Sequence, residues 1–324
     1  MEYAPSDSQL LEGLQRALWS TGSAAAREVR RTRSEYRTSF PLERLEVELE
    51  DGTDLRLAFK RLDWAGLEEG ARLAKPDFLH DPGREPAVYA SLLRPAGLGS
   101  PRFHGAVVEP DRHWLFVEWV EGRELYQVGE LALWEAAARW LAQMHAELGP
   151  EVERHAEAAR LVDHDAGYYR RWAERAREFA RMPGQPAARR TGVEWLAARH
   201  ESVVEALLEL PRTVLHGEFY AANVLVAEDT PVARVAPVDW ELAAAGPGVS
   251  DLASLVSGDW SQPDREAIAA AYAAAGPSLE GLEHARLQLA IQWLGWAPPE
   301  WTPPEGQRHD WLGEALELAE GLGL

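Results

Sequence analysis

Between Leu215 and Leu255 the chain reads LHGEFYAANVLVAEDTPVARVAPVDWELAAAGPGVSDLASL, and no other stretch constrains the fold as much. Two short apolar runs, Val224–Ala227 and Val235–Val238, flank the turn-prone Glu228-Asp229-Thr230-Pro231 and predict a β-hairpin. Glu218 and Asn223 precede the first strand, and Asp239 follows the second. A hairpin brings its two open ends together, so two carboxylates and an amide are expected to converge there on a ligand. The plainer use of such residues is a polar hairpin end that caps a helix.

Further elements lie upstream. Ser6, Asp7 or Ser8 can cap a helix over residues 6–19, where Leu10, Leu14 and Leu18 recur at helical spacing. Leu45, Val47 and Leu49 alternate with Glu46, Glu48 and Glu50, the pattern of a strand with one buried face. Asp51-Gly52 supplies a tight turn, and Leu55, Leu57 and Phe59 continue on a returning strand. The two-residue period puts Ala58 and Lys60 together on its other face. Taken alone, a lysine at a strand end is ordinarily a solvated edge residue.

Residues 64–83 mix Gly and Pro with charge and read as a connector. Glu85 opens a helical stretch to Leu93, a position that the helix dipole alone would favour for an acid. Phe103–Ala106 and Trp114–Trp119 predict two more strands. Beyond Gly122 the pattern is mainly helical, with Leu133–Leu148 the clearest helix and His145 packed among its apolar residues.

A carboxylate five residues before an Asn, then an Asp after a strand, is what phosphoryl transfer uses. The first orients the acceptor hydroxyl and takes its proton, while the other two hold Mg²⁺. The segments HGE-F-x-x-x-N-V-L-V and V-D-W-E resemble the aminoglycoside phosphotransferase family, the small-molecule branch of the protein-kinase-like fold. The resemblance implies an α+β, two-lobe fold with a small antiparallel-sheet N-terminal lobe (1–121) and a mainly helical C-terminal lobe (122–324). It implies ATP- and Mg²⁺-dependent transfer of the γ-phosphate to a hydroxyl of a small molecule, an antibiotic or a metabolite.

Residue by residue, Glu218 becomes the catalytic carboxylate, and Asn223 and Asp239 become the metal ligands. Leu57-Ala58-Phe59-Lys60 resembles the kinase V-A-I-K strand, whose Lys pairs with the nucleotide phosphates. Ala58 then leaves room for the base, and Glu85 is the candidate partner of Lys60. Glu118-Trp119-Val120-Glu121-Gly122 resembles the hinge, where Glu118 and Val120 carry over as backbone positions for adenine. His216 is expected to brace the loop through hydrogen bonds. Asp251, in a G-P-x-x-x-D-L-A segment, either steadies that loop or caps a helix. The aromatic patch Trp293–Trp301 either meets the acceptor or packs in the core.

This chain departs from the family where HGD is usual, with Glu218 in place of Asp. Glu keeps the charge and adds one methylene, which leaves a nucleotide-binding pseudokinase or a non-catalytic binding protein as rival readings. No Gly-rich loop precedes the hairpin of residues 45–59; Ser34–Ser39 occupies its place. A Walker A sequence is absent, which excludes that class by motif.

Composition excludes more. The formal net charge of −20 argues against nucleic acid, whose phosphates require Lys and Arg. The same field favours a cationic acceptor. The lack of cysteine removes disulfides, thiolate metal sites and a cysteine nucleophile. No apolar run is long enough for a membrane span, and no signal segment opens the sequence, so a cytoplasmic location is expected.

Overall fold

A computed structural model describes residues 4–34, 39–227, 233–299 and 309–324. The two-residue alternation of the N-terminal part is realised in β1 (Ala26–Arg33), β2 (Leu42–Leu49), β3 (Asp54–Arg61), β4 (Phe103–Glu109) and β5 (Arg112–Glu118). They form one antiparallel sheet in the order β1-β2-β3-β5-β4. Helix α1 (Asp7–Ser20) covers one face. It starts at a capping box in which Gln9 N–H donates to Ser6 Oγ and Ser6 N–H to Gln9 Oε1, at 3.3 and 2.9 Å. Its Leu10, Leu14 and Leu18 share a core with Leu57, Phe59, Trp114 and Phe116. Each such leucine contributes roughly 1.5–3 kcal/mol by burial.

Because Leu57 and Phe59 face α1, Ala58 and Lys60 face the opposite side, as the alternation predicts. There the helix Arg84–Val88 and the turn Tyr89–Leu93 lay Val88, Tyr89 and Leu92 against Leu115 and Val117. The expected single helix from Glu85 is interrupted: over Tyr89–Leu93 the bonds lengthen to the i→i+5 pattern, with Arg94 N–H donating to Tyr89 O. Pro95, next in the chain, has no N–H to give to a regular turn.

The C-terminal part is mainly helical around two small sheets. β6 (Arg123–Glu124) joins β9 (Val224–Ala227) and β10 (Arg234–Pro237) in the order β10-β9-β6. β7 (Val162–Asp163), β8 (Arg212–Leu215) and β11 (Ala244–Pro247) form the other, in the order β7-β11-β8. Helices Leu131–Leu148, Ala166–Arg181, His200–Leu208 and Leu282–Leu294 pack around them.

Three expectations need adjustment. The second hairpin strand begins one residue earlier than expected, at Arg234, while the turn Glu228-Asp229-Thr230-Pro231 lies outside the described residues. Of Ser34–Ser39, only the two end residues are described. The presumed connector 64–83 contains a short helix, Glu69–Ala74, and buries Lys75, which follows it. Gly122 is needed for close approach, since a Cβ there would lie 2.8 Å from Val226 O. Side-chain-free backbone lets the strand after β5 press onto β9.

Candidate active site

The register of β9 and β10 sets the site. Val238 N–H donates to Asn223 O at 2.8 Å, so the hairpin's open end puts Asp239 beside Asn223. Asn223 Nδ2 donates to Glu218 O at 3.0 Å, committing the amide nitrogen to the loop and leaving the carbonyl oxygen for a metal. Asp239 has φ +65°, left-handed backbone that a non-glycine residue adopts at a cost.

From the sheet, Lys60 reaches down to this end. Its Nζ lies 2.8 Å from Glu85 Oε2 and 2.5 Å from Asp239 Oδ1, with all three residues buried. The second Glu85 oxygen accepts Trp240 N–H at 3.3 Å. Burial opposes the Lys60 charge, yet Asp239, Glu85 and Glu241 outweigh it and hold its pKa well above the ordinary value. Glu85 is pushed up to about 7, by burial first, against the pull of Lys60.

The loop between β8 and β9 is held from below. Asp251 accepts His216 N–H at 2.7 Å and Gly217 N–H at 2.9 Å, one on each oxygen. It does not cap the helix Val249–Leu255, which has no side-chain cap. His145 adds a contact to Asp251 at 3.3 Å and meets Tyr272 Oη at 2.8 Å through its other nitrogen. His216 Nε2 faces Val238 O at 2.9 Å, which makes that nitrogen the donor. Its Nδ1 then accepts Glu218 N–H at 3.3 Å. This neutral imidazole ties the loop to the strand that delivers Asp239, and burial lowers its pKa further. Gly217, at φ +87°, is irreplaceable here: a Cβ would sit 2.1 Å from Leu242 O.

Glu218 is partly buried, and its carboxyl is pushed up to about 8. Burial is the main cause; the charges of Glu241 and Asp239 add to it, against smaller pulls from Lys75 and Lys60. The cleft thus gathers four carboxylates (Glu85, Glu218, Asp239, Glu241) and two ammonium groups (Lys60, Lys75), a surplus of two negative charges when all are ionised. Among the described residues no three His, Cys, Asp or Glu side chains converge as a preformed cage. Mg²⁺ does not need one. It takes one or two protein oxygens and completes its shell with water and phosphate. The Asn223 and Asp239 oxygens fit one such ion.

Glu118 and Val120 lie apart from this cluster, where β5 passes to β6. The Glu118 carboxylate holds Arg234 at 2.7 and 2.9 Å, and its N–H donates to Arg102 O at 2.8 Å. Val120 packs with Ala227 and Ala236, beside the partly buried Leu225. Ala58 is partly buried against the large central core.

Sequence reasoning missed the second ion pair of the cleft, Lys75 Nζ to Glu241 Oε2 at 2.5 Å, with both residues buried. It also missed Arg84, whose guanidinium donates to Glu241 O at 2.6 Å and to Leu79 O at 2.9 Å. The aromatic patch reaches the loop: Trp293 Nε1 donates to Tyr220 Oη at 3.0 Å, two residues past Glu218, and its ring stacks on Trp311 at 5.4 Å. Trp296 stacks on Trp172, while Trp301 lies outside the described residues.

A small antiparallel sheet over a helical lobe, with a lysine–glutamate pair between them, defines a protein-kinase-like molecule. The profile of the Phosphotransferase enzyme family matches residues 71–289, and the chain belongs to that family. The match begins after Lys60. A macrolide 2′-phosphotransferase from Brachybacterium faecium is 18% identical, with 88% of this chain and 90% of that one aligned at TM-score 0.56. A microcompartment-associated aminopropanol kinase gives 17% identity, 91% and 90% coverage, and TM-score 0.59. Spectinomycin phosphotransferase, solved with ADP and spectinomycin, gives 14%, 97% and 95%, and 0.55. These likenesses establish the fold. A comparison with curated proteins found no match.

Proposed function

We propose that this protein is an ATP- and Mg²⁺-dependent phosphotransferase that moves the γ-phosphate to a hydroxyl of a small molecule. The observation that carries the reading is the convergence of Lys60, Glu85 and Asp239 at the hairpin end that also presents Asn223 and Glu218. Lys60, steered by Glu85, binds the α- and β-phosphates. Asn223 and Asp239 hold the metal, which supplies charge neutralisation on the phosphates and their alignment. Ala58 and the backbone at Glu118 and Val120 receive the base. With the Glu118 amide already bonded to Arg102, Val120 is the position for an adenine contact through N–H.

Glu218 accepts a hydrogen bond from the acceptor hydroxyl and takes its proton as the new O–P bond forms and ADP leaves. Because the transition state is loose, positioning and electrostatics carry most of the acceleration. The extra methylene of Glu relative to Asp is tolerable if the carboxylate still reaches the hydroxyl. Among acceptors, an amine-bearing alcohol suits the acidic chain and the aromatic faces of Tyr220 and Trp293 beside the loop. The lobes are taken to divide between residues 121 and 122, and the protein to work in the cytoplasm, where ATP is supplied.

A pseudokinase is the second reading, favoured by Glu at position 218, where the family has Asp. Calorimetric titration with ATP, with and without Mg²⁺, tests the nucleotide site. ATP binding that Mg²⁺ strengthens, with the strengthening lost in Asp239→Ala, supports the phosphotransferase reading, and no binding in either condition overturns it. An acceptor screen by mass spectrometry then separates enzyme from pseudokinase: phosphorylated product formed by wild type and lost in Glu218→Ala marks an enzyme.

A further inference from the structure

The 33 basic residues of this chain include two lysines, Lys60 and Lys75, and the rest are arginines. Lysine is among the residues least often buried, yet both are, at 6% and 5% exposure. Both ammonium groups lie over the ring of Phe40, at 5.9 and 5.4 Å from its centroid. Both pair with the same tripeptide: Lys60 with Asp239 and Lys75 with Glu241, each at 2.5 Å.

That tripeptide is gripped along its length. Trp240 N–H is held by Glu85, and Glu241 O by Arg84. The Glu241 carboxylate is the remaining handle; Lys75 holds it as an ion pair, with the Ser39 side chain as a further partner. Asp239 needs such support, because its left-handed backbone is unfavourable for a side chain with a Cβ. An exposed arginine could supply charge, as it does throughout the surface. Between the Phe40 ring and the Glu241 carboxylate sits a compact ammonium, which the planar, forked guanidinium of arginine does not reproduce.

We propose that Lys75 is a positioning residue: through its ion pair with Glu241 it fixes the Asp239-Trp240-Glu241 tripeptide, so that Asp239 faces the metal and the phosphates. This rests on the phosphotransferase reading above for its consequence, though not for its geometry. Lys75 is two bonds of influence removed from the reaction; the ion it helps to place is held by Asp239 and Asn223. Partners that orient a metal ligand typically govern affinity by about 10–100-fold.

Two measurements on Lys75→Met and Lys75→Arg test it. Amide hydrogen exchange of residues 238–242, with no ligand added, is expected to quicken at least about tenfold in Lys75→Met relative to the flanking core, and Lys75→Arg is not expected to restore it. Calorimetry is expected to show ATP binding without Mg²⁺ within about twofold of wild type, and a Mg²⁺ requirement raised about tenfold. A merely structural lysine would weaken both binding modes alike. Unchanged exchange in 238–242 overturns the proposal whether or not the protein is a kinase. A folded Lys75→Met with wild-type Mg²⁺ dependence also overturns it. Failure of wild type to bind Mg·ATP removes the functional reading and leaves the exchange arm to decide the role of Lys75. Should Lys75→Met not fold, Lys75→Met/Glu241→Leu leaves no buried charge unpaired, and the same two readouts apply.

Discussion

Lys60 Nζ and Asp239 Oδ1 stand 2.5 Å apart, so this buried lysine and carboxylate neutralise one another directly. Under the proposed function, nucleotide and metal would have to come between them. Lys60 has a second partner in Glu85, whereas the two carboxylates share this one ammonium. Lys60→Met therefore strands two buried carboxylates and is expected to cost roughly 3–5 kcal/mol. Asp239→Asn leaves Lys60 its Glu85 partner and should cost well under half of that. Thermal melts of the two variants check the order. Equal losses would mean that Glu85 alone does not satisfy Lys60.

The clamp of Asp251 on the loop that carries Glu218 predicts a pH dependence. Burial alone would raise this carboxyl, but the hydrogen bond and charge of His145 and the His216 N–H together bring it below its ordinary value. A folded-state pKa that is depressed gives stability that is complete above the unfolded value, about 3.9 for Asp. It is lost as pH falls through the folded value. Asp251→Asn can offer one carbonyl oxygen where two oxygens now accept N–H groups. The variant is expected to be about 2–3 kcal/mol less stable at pH 7, and that gap should close as pH falls below about 3.9. Denaturant melts at pH 7 and pH 3.5 measure it; a gap independent of pH would mean that the carboxylate charge is not what the loop uses.

Glu218 titrates in the opposite sense. Its carboxyl is raised to about 8, so ionisation is opposed in the fold and stability falls as pH rises from about 4.3, the free value, through about 8. Glu218→Gln should consequently melt above wild type by a margin that opens over this range and stops growing beyond it. Turnover should fall by about 10²–10⁴-fold in Glu218→Ala. Wild-type turnover in that variant would remove Glu218 from the chemistry.

Local period and local spacing made most of this legible. Alternation in residues 45–59 fixed which face carried Lys60, and two apolar runs around a turn fixed the hairpin that presents Asn223 and Asp239. His145 was readable as a buried residue. Its contact with Asp251 was not, because the two are brought together by packing between helices that no spacing records. Lys75 was hidden for the same reason, and by its setting among glycines, prolines and charges that read as a connector. The signal that could have found it was chemical: a chain that uses arginine everywhere else keeps lysine at two positions.

That scarcity makes the cleft directly observable. Amine-reactive reagents acylate neutral, accessible amines, and both lysine side chains are nearly inaccessible, at 8% and 4%. Lys60 is further held protonated by Asp239, Glu85 and Glu241. Brief treatment of the folded protein with N-hydroxysuccinimidyl acetate should leave the peptides containing Lys60 and Lys75 unmodified, while the denatured chain is modified at both. Asp239→Asn withdraws a partner from Lys60 and none from Lys75, so it should raise acetylation at Lys60 alone. Peptide mass spectrometry reads the two sites separately. Rapid labelling of Lys75 in the folded wild type would show that its pair with Glu241 opens readily, and an ion pair that opens readily cannot hold the Asp239-Trp240-Glu241 tripeptide in place.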